Sequence, residues 1–267
     1  MTIIPFRYPG SKNKMLPVLI EYLDPLIQHN SSFLDVFVGG GSVLLEVAKK
    51  YPNIRLHAND KNYWIYCFWK IVSDTDSDKL YALLDLIDNQ PNLDLFYKLR
   101  AEFTSDDIEC AYRAVFFNRT TFSGIFSSGP IGGKEQKSKY KIDCRYNAKK
   151  LKDKIVKCHK LLVGRTSVTN FDFSYLSELT EENIPAYLDP PYFEAGKKLY
   201  PEYMVEEEHN NLQNILSKRT NWVLSYDDCP QIRSLYQNNK IIDLSARYCI
   251  NGKKETWENK NELIILP

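Results

Sequence analysis

Several features are scarce or missing in this chain, and each absence closes a class of reading. No run approaches the roughly 18 apolar residues of a membrane span. The first residues carry no charged start followed by a long apolar core, so no secretory signal is expected either. The six cysteines, Cys67, Cys110, Cys144, Cys158, Cys229 and Cys249, never form a Cys-x-x-Cys pair and stand far apart. That pattern speaks against structural zinc and, at 267 residues, against a disulfide framework. Free thiols in a reducing cytoplasm are the expectation. No internal repeat and no low-complexity tract is visible. Net charge is only +1, so the overall balance favours no class of partner.

What is present is a large core and an uneven distribution of charge. Hydrophobic residues make up 43% of the chain and aromatics 13%, with 18 Tyr and 13 Phe, so both core and stacking surface are plentiful. Ser73 to Glu109 holds ten acids against three bases, whereas Lys134 to Arg165 holds 12 Lys and Arg against three acids. A basic stretch that carries Tyr140, Arg145 and Tyr146 after a glycine-rich loop suits contact with phosphates and bases. Its helical part, from about Asn147 to Leu162, reads equally as a solvated face.

The chain is organised around Asp189-Pro190-Pro191-Tyr192. Ile184 to Leu188 before it is short and apolar, which predicts a buried strand ending in a loop stiffened by two prolines. Ligands of open α/β sheets sit beyond the carboxyl ends of strands. A carboxylate, proline carbonyls with no competing N–H, and an aromatic ring together suit a planar group bearing an amine. An ordinary strand exit would use Asp and Pro as well.

Upstream, Phe33 to Phe37 reads as a strand, Gly39-Gly40-Gly41 as a turn, and Val43 to Ala48 as the start of an amphipathic helix. Strand, glycine turn and helix form the layout of a cofactor loop, because glycine lets the backbone approach a ligand closely. Asp60 ends the next strand, Ile54 to Ala58, about 20 residues on. That is where a ribose diol is usually gripped, and a helix N-cap is the structural alternative. Tyr8-Pro9-Gly10-Ser11-Lys12 precedes a helix with Leu16, Leu19, Ile20 and Leu23 on one face. Such an opening either cradles an anion or is a surface turn. Trp64 to Phe117 reads as helical throughout, with Thr104 and Asp107 resembling a capping box. Strands return at Ser167 to Thr169, Asn221 to Tyr226, Ile241 to Leu244 and Glu262 to Leu266, with a helix from Glu206 to Leu216.

In this order the motifs resemble the DNA adenine methyltransferases of the Dam type. Tyr8 to Lys12, Phe37 to Gly41, an insert near Ile71 to Tyr146 and Asp189 to Tyr192 match that family's sequence of parts. Asn59-Asp60, Asp172-Phe173, His209 and Ser225-Tyr226 match as well, so the resemblance covers nearly the whole chain. Tyr8 stands where many members have Trp, and Ser11 where many have Gly. The resemblance implies an α/β fold: a Rossmann-like methyltransferase sheet over 1–70 and 147–267, with a mostly helical target recognition domain inserted at 71–146. It implies S-adenosylmethionine as methyl donor, double-stranded DNA as substrate, no metal, no membrane, and the cytoplasm of a prokaryotic or phage-infected cell. By the same route Asp189, Pro190 and Tyr192 are expected to be catalytic. Tyr8, Lys12, Phe37, Gly39, Gly41, Asp60, Asp172 and Asp189 are expected to bind the cofactor. Arg119, Thr121, Phe122, Lys137 and Lys139 are expected to meet DNA. A GATC-type target is a family prior only. A cognate restriction endonuclease is an expected partner of some members. A solitary methylase, a phage enzyme and half of a restriction pair all stay open, as does the oligomeric state. Two rival readings are an RNA adenine or cytosine 4-amino methyltransferase and an inactive DNA-binding relative.

Overall fold

Short apolar runs alternating with amphipathic stretches build a sheet with helices packed against it. The computed structural model describes residues 3–7, 12, 15–179, 184–193, 203–244 and 262–267. The chain divides into two units, one of Met1–Leu16 and Val38–Phe171, the other of Pro17–Phe37 and Asp172–Pro267. The strands β1 (Ser32–Asp35), β2 (Arg55–Asn59), β3 (Thr166–Thr169), β4 (Ala186–Leu188), β5 (Trp222–Asp227), β6 (Lys240–Asp243) and β7 (Glu262–Leu266) lie in the order β3-β2-β1-β4-β5-β7-β6, a doubly wound, Rossmann-like arrangement.

The first unit contains α2 (Ser42–Lys50), β2 (Arg55–Asn59), α3 (Tyr63–Ser73), α4 (Ser77–Ile87), α5 (Leu93–Ala101), α6 (Asp107–Thr120), α7 (Ala148–Leu162) and β3 (Thr166–Thr169). β2 and β3 run parallel, with Asn59 opposite Thr169. Five of these helices start on a side-chain cap, in which Asn62, Asp76, Asn92, Asp106 or Asn147 accepts a backbone N–H. For α6 the cap is Asp106, which accepts from Glu109 N–H at 2.7 Å, rather than the expected Thr104. Thr104 Oγ1 instead accepts from Asp106 N–H at 3.1 Å and so holds the cap itself. From Cys110 to Asn118 every residue of α6 is buried, which makes it the pillar of the helical layer. The stretch 71–146, expected to be the insert, lies wholly within this unit.

The second unit contains α1 (Leu16–Ile27), β1 (Ser32–Asp35), β4 (Ala186–Leu188), α8 (Glu206–Leu216), β5 (Trp222–Asp227), α9 (Pro230–Leu235), β6 (Lys240–Asp243) and β7 (Glu262–Leu266). β1, β4 and β5 are parallel, with Asp35 opposite Tyr187 and Leu188 opposite Leu224. β7 runs antiparallel between β5 and β6. Its core joins Leu34, Val36, Phe173, Leu188, Leu212, Trp222, Leu224 and Ile265. The strand order reverses between β1 and β4, so the crevice beyond their carboxyl ends is the place for a ligand. Asp35 closes β1, and Asp189 follows β4 directly.

Among the described residues, no helix is long and apolar enough to cross a membrane, and no cluster of three or more His, Cys, Asp or Glu could hold a metal ion.

Candidate active site

The glycine turn of the first unit is built on α3. Gly39 and Gly41 have φ of 44° and 72°, left-handed values that favour glycine. Trp69, fully buried on α3, donates its indole N–H to Gly39 O at 2.9 Å. Asp60 fixes the other side of the turn: one carboxylate oxygen accepts Gly39 N–H at 2.8 Å, the other Asn62 N–H at 2.9 Å. Asp60 is therefore a brace of the turn, and the cap of α3 is its neighbour Asn62. The turn leads directly into α2, whose N-cap, Gly41, has no side chain to cover the first amides.

Beside Asp60, a second asparagine orders the loop after β3. Asn59 is 2% exposed, accepts from Phe171 N–H at 2.9 Å and donates to Phe171 O at 3.0 Å. Thr169 Oγ1 donates to Asn59 at 2.8 Å, and Asn170 donates to Asp60 O at 2.7 Å. The loop so held leaves the Phe171 ring 54% exposed. Lys12 is buried, and its carbonyl accepts from Met15 N–H at 2.8 Å at the start of α1. Tyr8 lies outside the described residues.

In the second unit, Asp189 to Phe193 is fastened by the end of β5. Tyr187, one residue before β4 ends, shares a 2.9 Å hydrogen bond with Ser225 Oγ. Asp227 accepts Phe193 N–H at 3.1 Å. The Tyr192 ring lies 6.3 Å from that of Tyr226. His209 on α8, 1% exposed, is 2.5 Å from the Tyr226 hydroxyl, and its ring is 5.0 Å from that of Phe193. Burial, reinforced by the Asp189 charge, pushes the Tyr187 and Tyr192 hydroxyls well above their usual range, so both stay protonated. Pro190 is buried and Asp189 half-buried. Phe37 lies 6.1 Å from Phe173, and Asp172 caps the 3₁₀ turn Phe173–Ser177 by accepting Ser174 N–H at 3.1 Å.

The residues expected at DNA divide into buried and exposed groups. Thr121 is fully buried and donates to Phe117 O at 2.6 Å, which leaves it no hydroxyl for a base edge; it holds the turn instead. Arg119 is half-buried against the carbonyl of Pro5. Phe122, in contrast, is 70% exposed beside Ser123, whose φ of 55° is unusual for a residue with a side chain. Lys137 is exposed and paired with Glu135, and the Lys139 ammonium lies 6.0 Å from the Tyr140 ring centre. Gln136 gives this loop its shape, donating to Ile131 O at 2.8 Å and Gly133 O at 2.7 Å while accepting Ile142 N–H at 2.8 Å. Gln136, Trp69 and Phe171 had no sequence signal of their own, and Asn59 had one only through the family resemblance.

With this geometry in view, comparison with known proteins gives three findings. The chain is 26% identical over 214 residues to the Type II methyltransferase M.MjaIII of Methanocaldococcus jannaschii, covering 74% of this chain and 72% of that protein. A solved structure, the precorrin-6y C5,15-methyltransferase of Geobacter metallireducens, aligns with 99% of this chain and 96% of that one, at 9% identity and a TM-score of 0.38, a likeness too slight to argue from. The family model of the D12 class N6 adenine-specific DNA methyltransferases matches residues 8–250. The chain belongs to the D12 class N6 adenine-specific DNA methyltransferases.

Proposed function

We propose that this adenine-specific DNA methyltransferase takes its methyl group from S-adenosylmethionine and acts at one specific site of duplex DNA, on an adenine rotated out of the helix. The observation that carries the reading is the Asp189–Tyr192 loop, a carboxylate, proline carbonyls and an aromatic ring tied to β5 through Tyr187, Tyr226 and Asp227.

The residues of the first unit fit such a donor. Carboxylate oxygens accept more than one hydrogen bond each, so ribose hydroxyls can join the two amides already on Asp60. Phe171, clamped by Asn59 and half-exposed, offers a face for the donor's adenine. Gly39 and Gly41 let the backbone come close, with Phe37, Tyr8, Lys12 and Asp172 as further contacts by family likeness. When bound, S-adenosylmethionine supplies a methyl group activated on a sulfonium.

The chemistry left to the chain is orientation and charge. The amino nitrogen of adenine is a poor nucleophile because its lone pair is delocalised into the ring. Asp189 and the Pro190 carbonyl accept hydrogen bonds from its two N–H groups, favouring a pyramidal nitrogen with a directed lone pair. The Asp189 carboxylate also stabilises the positive charge that develops there, most strongly where water is excluded. Tyr192 stacks on the extruded base. Residues 71–146 read the target, with Phe122 against bases and Lys137 and Lys139 on phosphates.

Two results test these assignments. Asp60→Ala removes a ribose partner and releases Gly39, so S-adenosylmethionine binding measured by calorimetry should weaken by roughly 1–3 kcal/mol, while DNA affinity without donor holds. Normal donor affinity in a folded variant would put the ribose elsewhere. At the other end, Tyr192→Phe keeps the ring and should flip a fluorescent adenine analogue normally. Tyr192→Ala should lose roughly 1–3 kcal/mol of base stacking and leave the analogue quenched in the duplex.

A further inference from the structure

Residues Ile3 to Arg7 lie against α6 and α7, fastened through their carbonyls. Ile4 O accepts from Lys154 Nζ at 2.8 Å, Pro5 O from Arg119 Nη2, and Arg7 O from Asn118 Nδ2 at 2.7 Å. Asn118 Oδ1 accepts Arg7 N–H at 2.6 Å in return. Gly124 closes over the same place, where a Cβ would stand 2.6 Å from Arg7 O. These contacts gather Arg7, Arg119 and Lys154, and Arg145 is near enough to act on Arg7 electrostatically.

Arg7, Arg119 and Lys154 thus share one place, with Arg145 in electrostatic reach of Arg7, and among the described residues none of the four pairs with a carboxylate. Arg7 Nη1 and Arg119 Nε are buried with no hydrogen-bond partner. A buried guanidinium atom without an acceptor is costly, and like charges beside it add to the cost. The effect reaches the side chains themselves: burial, with Arg7 adding, brings Arg119 down to about 10. Burial first, then Arg145 and Arg119 respectively, lowers Arg7 and Lys154. An anion with several oxygens at the accessible edges of Arg7 and Arg119 would offset this charge, and the planar guanidinium fork matches a phosphate.

We propose that Arg7, Arg119 and Arg145, backed by Lys154, grip a phosphate of the DNA backbone and so set the register of the recognition loop on the duplex. The inference rests on the reading of the chain as a duplex-DNA methyltransferase. Chain continuity favours DNA over a free phosphate: the loop bearing Phe122 and Tyr140, 70% and 56% exposed, leaves the cluster after Arg119 and returns to it at Arg145. The cluster therefore forms the base of the loop. It assigns Arg119 to backbone positioning, not to base reading.

The test uses a duplex carrying the methylated site, with single uncharged methylphosphonate linkages moved along both strands. The intact enzyme should lose about tenfold in affinity at one or two linkages, as expected for a lost charged hydrogen bond. Arg7→Ala and, at an exposed position, Arg145→Ala should each bind unmodified DNA about tenfold more weakly and become indifferent to those linkages. Their slope of log affinity against log salt should fall by about 1. A flat linkage scan in the intact enzyme, or an Arg145→Ala variant that keeps the full penalty, overturns the proposal. So does inorganic phosphate that binds the intact enzyme and not Arg7→Ala while the scan stays flat, since the ligand is then a soluble anion. Methylation of the unmodified duplex, followed in the same series, separates the two readings: a flat scan in an active enzyme counts against the cluster alone, and no methylation counts against the function.

Discussion

Asp189→Ala should lower single-turnover methyl transfer by about 10²–10³-fold or more, the range found when one preorganised group aimed at developing charge is removed. The argument is differential. Most contacts to donor and DNA run through other residues, so their affinities should change much less than the rate, whereas the amino nitrogen gains positive charge only on the way to the transition state. The loop should survive the change, because Tyr187, Asp227 and Tyr226 also tie it to the end of β5. Asp189→Asn keeps one acceptor oxygen, loses the charge, and should fall between. A folded Asp189→Ala protein with a near-normal single-turnover rate would remove this loop from the chemistry.

Gly41→Ala is expected to be the most damaging small substitution in the donor half. Two costs combine there. The backbone sits at φ 72°, where a side chain costs about 1–2 kcal/mol. In addition, a Cβ would stand 2.3 Å and 2.6 Å from Trp69 Cζ2 and Cη2. That ring cannot easily retreat, being fully buried, bonded to Gly39 O and 6.1 Å from Phe6. Overpacking of this kind adds about 1–3 kcal/mol. The sum, roughly 2–5 kcal/mol, should appear as a lowered melting temperature and a loss of donor binding. Gly133→Ala is the control, with a similar φ of 74° and open space around the new methyl, so only the backbone term applies. Trp69→Phe should partly rescue Gly41→Ala by removing the clashing atoms. Melting of Gly41→Ala at the temperature of the parent protein would contradict this packing.

Periodicity and punctuation made much of the fold legible. The α8 helix was expected from Glu206 to Leu216 and spans those residues. The turn after Phe37 and the loop after β4 were visible because a glycine triplet permits backbone conformations closed to other residues and a proline pair limits what the backbone can do. The supports of the site were not legible, because they join residues far apart in the chain. Trp69 to Gly39, Asn59 to Phe171 and Asn118 to Arg7 are joined by one, two and two hydrogen bonds across 30, 112 and 111 residues, and no local pattern encodes them. Thr121 shows the opposite error: its motif led to the expectation of a DNA contact, but a buried hydroxyl at the end of α6 that can reach the carbonyl one turn back does so. Asp60 falls between, since an acid at the end of β2 was expected, while its grip on Gly39 was not.

The most direct measurement is of the product itself. Purified protein, S-adenosylmethionine carrying a labelled methyl group, and duplex DNA are incubated, and the nucleosides are separated by mass spectrometry, with RNA of the same sequence in parallel. The account predicts labelled N6-methyladenine in DNA, at one recurring sequence, from the parent protein and next to none from Asp189→Ala. Label on the 4-amino group of cytosine, label in RNA rather than DNA, or no label from a folded protein that binds the duplex would contradict it.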